Sequence, residues 1–194
     1  METKSLTFGP LVTLHRMPSK ETKYFFDKFH HQHQPETVNT NVLNLHRREW
    51  MDRDDIDTNE ILKPYIESYL SEARNRGLTD WKKNYRLASI WGNVYRNGDY
   101  INPHVHMDCD LSFVLCLKIP PIEMLDISKN EGMLSLLWGN EAPFYQKVFG
   151  RNKHEFLPQV GEIVIFPQNM LHYTTPIKNP QAERISISGN ILLE

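Results

Sequence analysis

Two histidines and two aspartates crowd residues 102–110, which read N-P-H-V-H-M-D-C-D. Residues two apart in an extended chain share a face, so the side chains of His104, His106 and Asp108 are expected to project to the same side. Imidazole and carboxylate groups suit divalent first-row metals, and two histidines with one carboxylate form the arrangement typical of non-haem Fe(II). The spacing therefore predicts a metal site that takes a further ligand from elsewhere in the chain.

The candidate for that further ligand is His172, at the end of the run G-E-I-V-I-F-P-Q-N-M-L-H. The run reads as a buried strand, a Pro-Gln-Asn turn and a histidine that opens the next strand. In metal-binding β-barrels the first ligands end one strand, and the last histidine arrives much later on an antiparallel strand. Position 172 satisfies that topology.

An arginine, Arg184, is expected close to this histidine. The segment I-K-N-P-Q-A-E predicts a hairpin turn centred near Asn179 and Pro180, which would place Arg184 about 7 to 8 Å from His172 across two strands. One predicted face of the following strand is polar and consists of Arg184, Ser186, Ser188 and Asn190. A guanidinium flanked by the hydroxyl of Ser186 would form a bidentate clamp for a carboxylate.

The elements that must position these residues are mostly strands. From Tyr85 onward, short β-rich runs alternate with Gly, Pro, Asn and Asp, which is typical of an antiparallel sandwich or barrel. A chain of 194 residues suits one domain. We therefore expect a single, mainly β domain over residues 1–194, with a β core at 85–194 and a helical elaboration at 1–84 packed on one sheet.

The clearest helix of that elaboration is predicted in the run D-T-N-E-I-L-K-P-Y-I-E-S-Y-L-S-E-A-R-N-R-G. Asp57 and Glu60 have the spacing of a capping box at its start, and Gly77 is placed to end it. Pro64, several residues inside, is expected to kink the first turn or to move the start of the helix toward itself.

Composition and charge exclude several classes of protein. The chain has 22 Lys and Arg against 24 Asp and Glu, so its formal charge of −2 predicts neither nucleic-acid binding nor attachment to an anionic membrane. No stretch approaches the ~20 apolar residues that span a bilayer, and a soluble cytoplasmic protein is expected. Cys109 and Cys116 are an odd number of residues apart and should point to opposite faces, as free thiols of a reducing compartment.

The ordered set of motifs from about residue 91 to residue 190 resembles the 2-oxoglutarate- and Fe(II)-dependent dioxygenases, in particular a small group common in bacteria and phages. That group has W-x-N, then H-x-H before an L-S strand, then G-x-x-x-x-F-P-x-x-x-x-H and finally E-R-x-S-x-x-x-N. The matching segments here are W-G-N, H-V-H, L-S, G-E-I-V-I-F-P-Q-N-M-L-H and E-R-I-S-I-S-G-N. Members usually continue L-S with glycine and Tyr-Tyr, where this chain has Phe113, Leu115 and Cys116.

This resemblance implies a double-stranded β-helix, or jelly roll, that uses Fe(II), 2-oxoglutarate and O2. It implies oxidative decarboxylation of 2-oxoglutarate to succinate and CO2, coupled to hydroxylation of a small-molecule or peptide substrate. Arg184 and Ser186 would grip the distal carboxylate of the cosubstrate, and Asn93 could hydrogen-bond a ligand. The substrate and the oligomeric state stay open.

The resemblance leaves the ligand set ambiguous. The broader superfamily uses H-x-D, which His106 and Asp108 match, whereas the closer relatives use H-x-H, which favours His104 and His106. We expect three of His104, His106, Asp108 and His172 to bind iron, because spacing alone does not choose among them.

A cupin is the alternative interpretation. Gly98, five further residues and H-V-H approximate the first cupin motif, and residues 161–172 approximate the second. Such a protein could be an isomerase, a dioxygenase independent of 2-oxoglutarate, or a sensor. Asn169 and Pro176 stand where cupins have glycine and asparagine, and a cupin has no use for the predicted carboxylate clamp. A non-catalytic barrel is a third alternative.

Overall fold

The computed structural model describes residues 10–31, 43–45, 47–81, 84–138 and 153–194. Its two α-helices are α1 (Ser19–His31) and α2 (Ile56–Asn75). Its strands are β1 (Thr13–Arg16), β2 (Leu43–Asn44), β3 (Arg47–Trp50), β4 (Tyr85–Tyr95), β5 (Tyr100–His104), β6 (Leu111–Lys118), β7 (Leu134–Leu137), β8 (Lys153–Phe156), β9 (Glu162–Pro167), β10 (Leu171–Thr174) and β11 (Arg184–Leu193). Strand therefore dominates from Tyr85 onward, as the sequence predicts.

The strands form two sheets. The large sheet has the order β1-β9-β6-β11-β4-β3, and the small sheet has the order β2-β5-β10-β7-β8. All of the strand pairings in the described ranges are antiparallel. The prediction of a mainly β protein with antiparallel sheets is confirmed.

The inner faces of the two sheets pack against each other. Val114 and Phe166 of the large sheet share one apolar cluster with Leu134 and Leu136 of the small sheet. Strand β11 alternates between the two sides of the large sheet: its isoleucines join the cluster beneath the helices, whereas Ser188 lines a pocket between the sheets. The polar face of β11 is thereby directed into the interior.

The helices cover the outer face of the large sheet. Phe25 and Phe29 of α1 and Leu62 of α2 are fully buried in the same cluster as the outward-facing residues of β4, β6, β9 and β11. Gly92 on β4 permits this close packing, because a Cβ atom there would lie 2.2 Å from the Phe29 ring. Burial of these apolar side chains stabilises the packing of both helices on the sheet.

Helix α2 begins two residues earlier than the sequence predicts. Its N-cap is Asp55, whose side chain accepts a hydrogen bond of 2.7 Å from the backbone N–H of Thr58, so the predicted capping box at Asp57 is wrong. Asp55 also pairs with Lys28 at 2.7 Å, which ties its carboxylate to α1. The helix then runs through Pro64 without interruption to its C-cap at Arg76. Gly77 follows in the left-handed conformation with φ of 66°, as predicted.

The predicted hairpin between His172 and Arg184 is wrong. Strand β10 pairs with β5 and β7 in the small sheet, whereas β11 pairs with β4 and β6 in the large sheet. Both edges of each strand are occupied, so the two strands cannot pair with each other. Residues 175–183 cross from one sheet to the other, and Arg184 lies opposite Tyr95 on β4.

Cys109 and Cys116 are buried and both are free thiols, as predicted. Among the residues that the structure describes, no helix is both long enough and apolar enough to cross a bilayer.

Candidate metal centre and cosubstrate pocket

Three histidines meet between the sheets. His104 ends β5, His106 follows two residues later in a loop, and His172 lies on β10. Their candidate ligand atoms all lie within 4.8 Å of one another. The ring centroids are 4.2 Å apart for His104 and His172, 5.0 Å for His106 and His172, and 5.3 Å for His104 and His106. This is the convergence that a single metal ion requires.

Asp108 is not a member of this group. Strand β5 ends at His104, and the chain bends at residues 107 and 108, so the extended geometry expected for all three side chains does not continue to Asp108. Its side chain is exposed. The structure therefore brings together three of the four predicted ligands and leaves Asp108 outside.

Backbone pairing fixes the positions of the three histidines. His172 is the register partner of His104 on the antiparallel strands β10 and β5. The loop that carries His106 is hydrogen-bonded to the Pro-Gln-Asn turn: the N–H of His106 donates to the carbonyl of Gln168 at 3.0 Å. The N–H of Gln168 in turn donates to the carbonyl of Asp110 at 3.0 Å. The two motifs recognised in the sequence are thus hydrogen-bonded to each other.

The hydrogen bonds of the rings favour metal binding through Nε2. Each Nδ1 faces an oxygen: the Asn102 carbonyl for His104 at 2.9 Å, the Met170 carbonyl for His172 at 2.9 Å, and Asn190 Oδ1 for His106 at 2.5 Å. A carbonyl or amide oxygen only accepts, so each Nδ1 carries the proton. The neutral ring then presents the lone pair of Nε2, which is the form that ligates a metal.

Burial keeps His172 neutral. Desolvation, aided by the nearby rings of His104 and His106, lowers the pKa of His172 to about 3, against the opposing effect of the bond to the Met170 carbonyl. A protonated imidazole cannot coordinate a cation. The low pKa therefore leaves His172 ready to bind a metal throughout the neutral and mildly acidic range.

The walls around the histidines are aromatic and apolar. The ring of Trp91 stacks on that of His106 with their centroids 5.9 Å apart, and the ring centroids of Phe166 and His172 are 4.7 Å apart. These two side chains line the same pocket as the three histidines, together with Tyr95 and Ser188. A largely apolar wall limits the access of water to a bound metal.

The polar face of β11 carries buried hydrogen-bond donors that lack acceptors. Arg184 is 2% exposed, and its Nη1 donates to the Gly132 carbonyl at 3.1 Å, but its Nε and Nη2 have no partner among the described residues. The fully buried Oγ of Ser186 also has none. The guanidinium lies 5.0 Å from the centre of the Tyr95 ring. Unsatisfied buried donors are costly, and an anionic group with several acceptor oxygens, such as a carboxylate, would satisfy them.

Asn93 also lies on this inner surface. It is fully buried, it is the register partner of Ser186, and its Nδ2 donates to Ser188 Oγ at 3.4 Å. Its predicted contact with a ligand stays a prediction.

The roles of three residues that shape the site were not identified from the sequence. Asn190 accepts the hydrogen bond from His106, and Ser112 donates to the same Asn190 oxygen at 3.1 Å. The signal was present, because these residues are the last position of E-R-I-S-I-S-G-N and the second of L-S. Tyr95, which packs on the arginine, is marked by no motif.

Comparison with known proteins agrees with this geometry. The family model described as "Putative 2OG-Fe(II) oxygenase" matches residues 89–190, which is more than half of the 194-residue chain. No curated protein sequence is similar enough to the chain to count as a match.

Several solved structures share the fold. A prolyl-4-hydroxylase from Pseudomonas putida has 13% identity and a TM-score of 0.64, over 94% of this chain and 92% of that one. The viral collagen prolyl hydroxylase from Paramecium bursaria Chlorella virus-1, in its 2OG complex, has 12% identity and a TM-score of 0.62, over 93% and 94%. The non-heme alpha-ketoglutarate-dependent epimerase SnoN from nogalamycin biosynthesis has 9% identity and a TM-score of 0.61, over 93% and 78%.

Proposed function

The chain belongs to the 2OG-Fe(II) oxygenase family, and we propose that it is a 2-oxoglutarate- and Fe(II)-dependent dioxygenase that hydroxylates a small-molecule or peptide substrate. The observation that carries this proposal is the pairing of two features between the same two sheets. One is the cluster of three histidines within 4.8 Å, and the other is the buried Arg184 with unsatisfied donors.

In this proposal His104, His106 and His172 hold the iron through their Nε2 atoms. Their Nδ1–H groups donate to oxygens, which supports this orientation, and the burial of His172 keeps that ring unprotonated. Bound Fe(II), with 2-oxoglutarate and O2, would supply the oxidising power for attack on a C–H bond and yield succinate and CO2. The chain itself contributes position, a dry pocket and charge compensation.

Arg184 and Ser186 would hold the distal carboxylate of 2-oxoglutarate. Nε and Nη2 of the guanidinium and the hydroxyl of Ser186 are the buried donors in need of acceptors, and two guanidinium N–H groups match a carboxylate bidentately. Tyr95 would fix the plane of the guanidinium by packing on it. We assign Asn93, on the neighbouring strand, to the wall of the same pocket.

We infer that the two facing sheets form the double-stranded β-helix of this family, with residues 85–194 as the catalytic core of a single domain and residues 1–84 as its elaboration. The related folds include hydroxylases of prolyl residues and an epimerase. We therefore propose hydroxylation in preference to epimerisation, and identification of the product would distinguish the two reactions.

Anaerobic titration of the Fe(II)-loaded protein with 2-oxoglutarate tests the proposal. The chelate of 2-oxoglutarate on Fe(II) has a metal-to-ligand charge-transfer band in the visible range, which should appear and saturate. Arg184→Ala should weaken the binding of 2-oxoglutarate by at least about tenfold, because a charge-assisted bidentate contact is worth roughly 1.5–3 kcal/mol. On exposure to O2, the wild-type protein should release succinate.

Arg86→Ala is the matched control for that titration. Arg86 lies on β4, but it is half exposed and pairs with Glu194 at the surface, so its loss should leave the band and the affinity unchanged. Absence of the band and of succinate in a protein that holds iron would contradict the proposal and favour the cupin-type alternative.

A further inference from the structure

His106 is held differently from the other two histidines. His104 and His172 lie on paired strands, and each Nδ1 faces the backbone carbonyl of the residue two positions earlier. His106 lies in the loop after β5, and its Nδ1 faces a side chain, Asn190 Oδ1, at 2.5 Å. Asn190 comes from β11 of the opposite sheet, 84 residues further along the chain. The hydrogen bond at this Nδ1 therefore comes from a side chain that can be changed without touching the backbone.

A second hydrogen bond reaches the same oxygen of the Asn190 amide. The buried Ser112 on β6, which pairs with β11 at this position, donates its hydroxyl proton to the same Oδ1 at 3.1 Å. Oδ1 is an acceptor only, and it can accept both bonds through its two lone pairs. The Ser112 hydroxyl lies 3.5 Å from Cys109 Sγ, so its own position is also supported.

We propose that Asn190, oriented by Ser112, is a positioning residue that holds His106 in the Nδ1–H tautomer and directs its Nε2 to the metal. This inference rests on the proposed function, because it takes His106 as a ligand. It assigns a role to the two motif positions, the serine of L-S and the last asparagine of E-R-I-S-I-S-G-N, which the iron ligands and the carboxylate clamp leave unexplained.

The physical reason is the choice of proton position in a neutral imidazole. Either ring nitrogen can carry the single proton, and the hydrogen bond made by one nitrogen sets the state of the other. Without an acceptor at Nδ1, part of the His106 population would carry the proton on Nε2 and present N–H to the metal. Outer-shell partners of this kind typically change metal affinity by roughly 10- to 100-fold.

Long-range ¹H–¹⁵N NMR of the metal-free protein, at a pH above the ordinary histidine range, tests the proposal directly. The ¹⁵N chemical shifts of the His106 ring distinguish the two tautomers. The signals of this ring are assigned as those that disappear from the spectrum of the His106→Gln variant. We expect the wild-type protein to show Nδ1–H at His106. Nε2–H as the main tautomer in the wild-type protein would overturn the proposal, whatever the variants do.

Variants separate positioning from a merely structural role. Asn190→Leu keeps the approximate size and removes the acceptor, so it should shift His106 toward Nε2–H and weaken Mn(II) binding by roughly 10- to 100-fold. Asn190→Asp restores an acceptor oxygen and should restore the Nδ1–H signal. Ser112→Ala should give a smaller shift in the same direction. If Asn190→Leu folds and retains the wild-type tautomer and Mn(II) affinity, the proposal is contradicted.

Ser89→Ala is the matched control, because Ser89 is the register partner of Asn190 on β4, whereas the side chain that meets His106 Nδ1 is that of Asn190. The tautomer test contains neither metal nor cosubstrate. A wild-type Nδ1–H tautomer in a protein that fails to bind 2-oxoglutarate would support the role of Asn190 in orienting the ring and contradict the proposed function alone. An Nε2–H tautomer in a protein that shows the charge-transfer band would contradict the role of Asn190 and support the proposed function.

Discussion

His104 and His172 stand directly opposite each other on the antiparallel strands β5 and β10, with ring centroids 4.2 Å apart. The candidate metal centre thus depends on the register of two strands in the small sheet. A slip of one residue would turn one of the rings to the other face. His106 completes the group from the loop that follows β5, and within the described ranges the group has no member from the large sheet.

Removal of any one of the three histidines should abolish tight metal binding. We expect His104→Ala, His106→Ala and His172→Ala each to lower the affinity for Fe(II) or Mn(II) by more than the roughly 10- to 100-fold that loss of an outer-shell partner costs. Isothermal titration calorimetry under anaerobic conditions measures this. Asp108→Ala is the control, since Asp108 is exposed and outside the group. Loss of metal binding in that variant would contradict the ligand assignment.

The metal-free protein should lose stability as the pH falls below the ordinary pKa of histidine. The pKa of His172 is lowered from 6.5 to about 3 in the folded protein, chiefly by burial. Between these values the unfolded chain binds a proton at this position and the folded chain does not, so the free energy of unfolding rises with pH and falls with acid. Well below pH 6.5, the contribution of His172 to the free energy of unfolding changes by about 1.4 kcal/mol per pH unit.

Urea unfolding between pH 7 and pH 5 in His172→Gln checks that prediction. Glutamine does not titrate, so the variant should show a shallower decline than the wild-type protein, and the difference between the two curves isolates His172 from the other titrating groups. Parallel curves would mean that His172 is protonated in the folded state in this range.

Asp55 should be the stabilising cap of α2. Its carboxylate accepts bonds from Thr58 N–H, from Tyr24 and from Lys28, and the Lys28 ammonium holds the pKa of Asp55 well below its usual range. Asp55→Ala should lower the free energy of unfolding by roughly 1–2 kcal/mol, as measured by denaturant titration. Because the folded pKa is depressed, the stabilisation is present above about pH 4 and is lost as the pH falls further.

Asp57→Ala is the matched control for the cap. Asp57 lies in the first turn of α2, where a negative charge is worth only about 0.3–1 kcal/mol. If Asp57→Ala lowered the free energy of unfolding as much as Asp55→Ala does, the assignment of Asp55 as the cap would be contradicted.

Gly92 should tolerate no side chain. A Cβ atom there would lie 2.2 Å from the buried Phe29 ring, so Gly92→Ala should cost roughly 1–3 kcal/mol by overpacking. Thermal unfolding of the single variants and of Gly92→Ala with Phe29→Leu tests the cause. The smaller side chain at position 29 should recover part of the loss. Strictly additive effects would show that the clash with Phe29 is not the reason for glycine.

The site residues could be found in the sequence to the extent that local motifs carry them. His172 follows a strand and a turn, and H-V-H ends a strand, so both signals lie within a dozen residues of chain. The choice between Asp108 and the histidines could not be made, because it depends on where β5 stops, and β5 stops at His104 through pairing with β10 and β2. Strand ends are set by partners, which local spacing does not specify.

The sequence predicts Arg184 beside His172 through a hairpin that the structure does not contain. The turn near Asn179 and Pro180 predicts a return of the chain, but whether β11 returns to the same sheet or crosses to the other depends on competition among all strands for free edges. Arg184 reaches the space between the sheets from the large sheet, through alternation along β11.

The short strands β2 and β3 carry too few residues for a periodic signal.

Anomalous diffraction from crystals grown anaerobically with Mn(II) and 2-oxoglutarate would locate the metal and the cosubstrate in a single experiment. We expect one strong Mn peak within coordination distance of Nε2 of His104, His106 and His172, with the distal carboxylate of 2-oxoglutarate on Arg184 and Ser186. A metal coordinated by Asp108 in place of one histidine, or a 2-oxoglutarate carboxylate away from Arg184, would contradict this expectation.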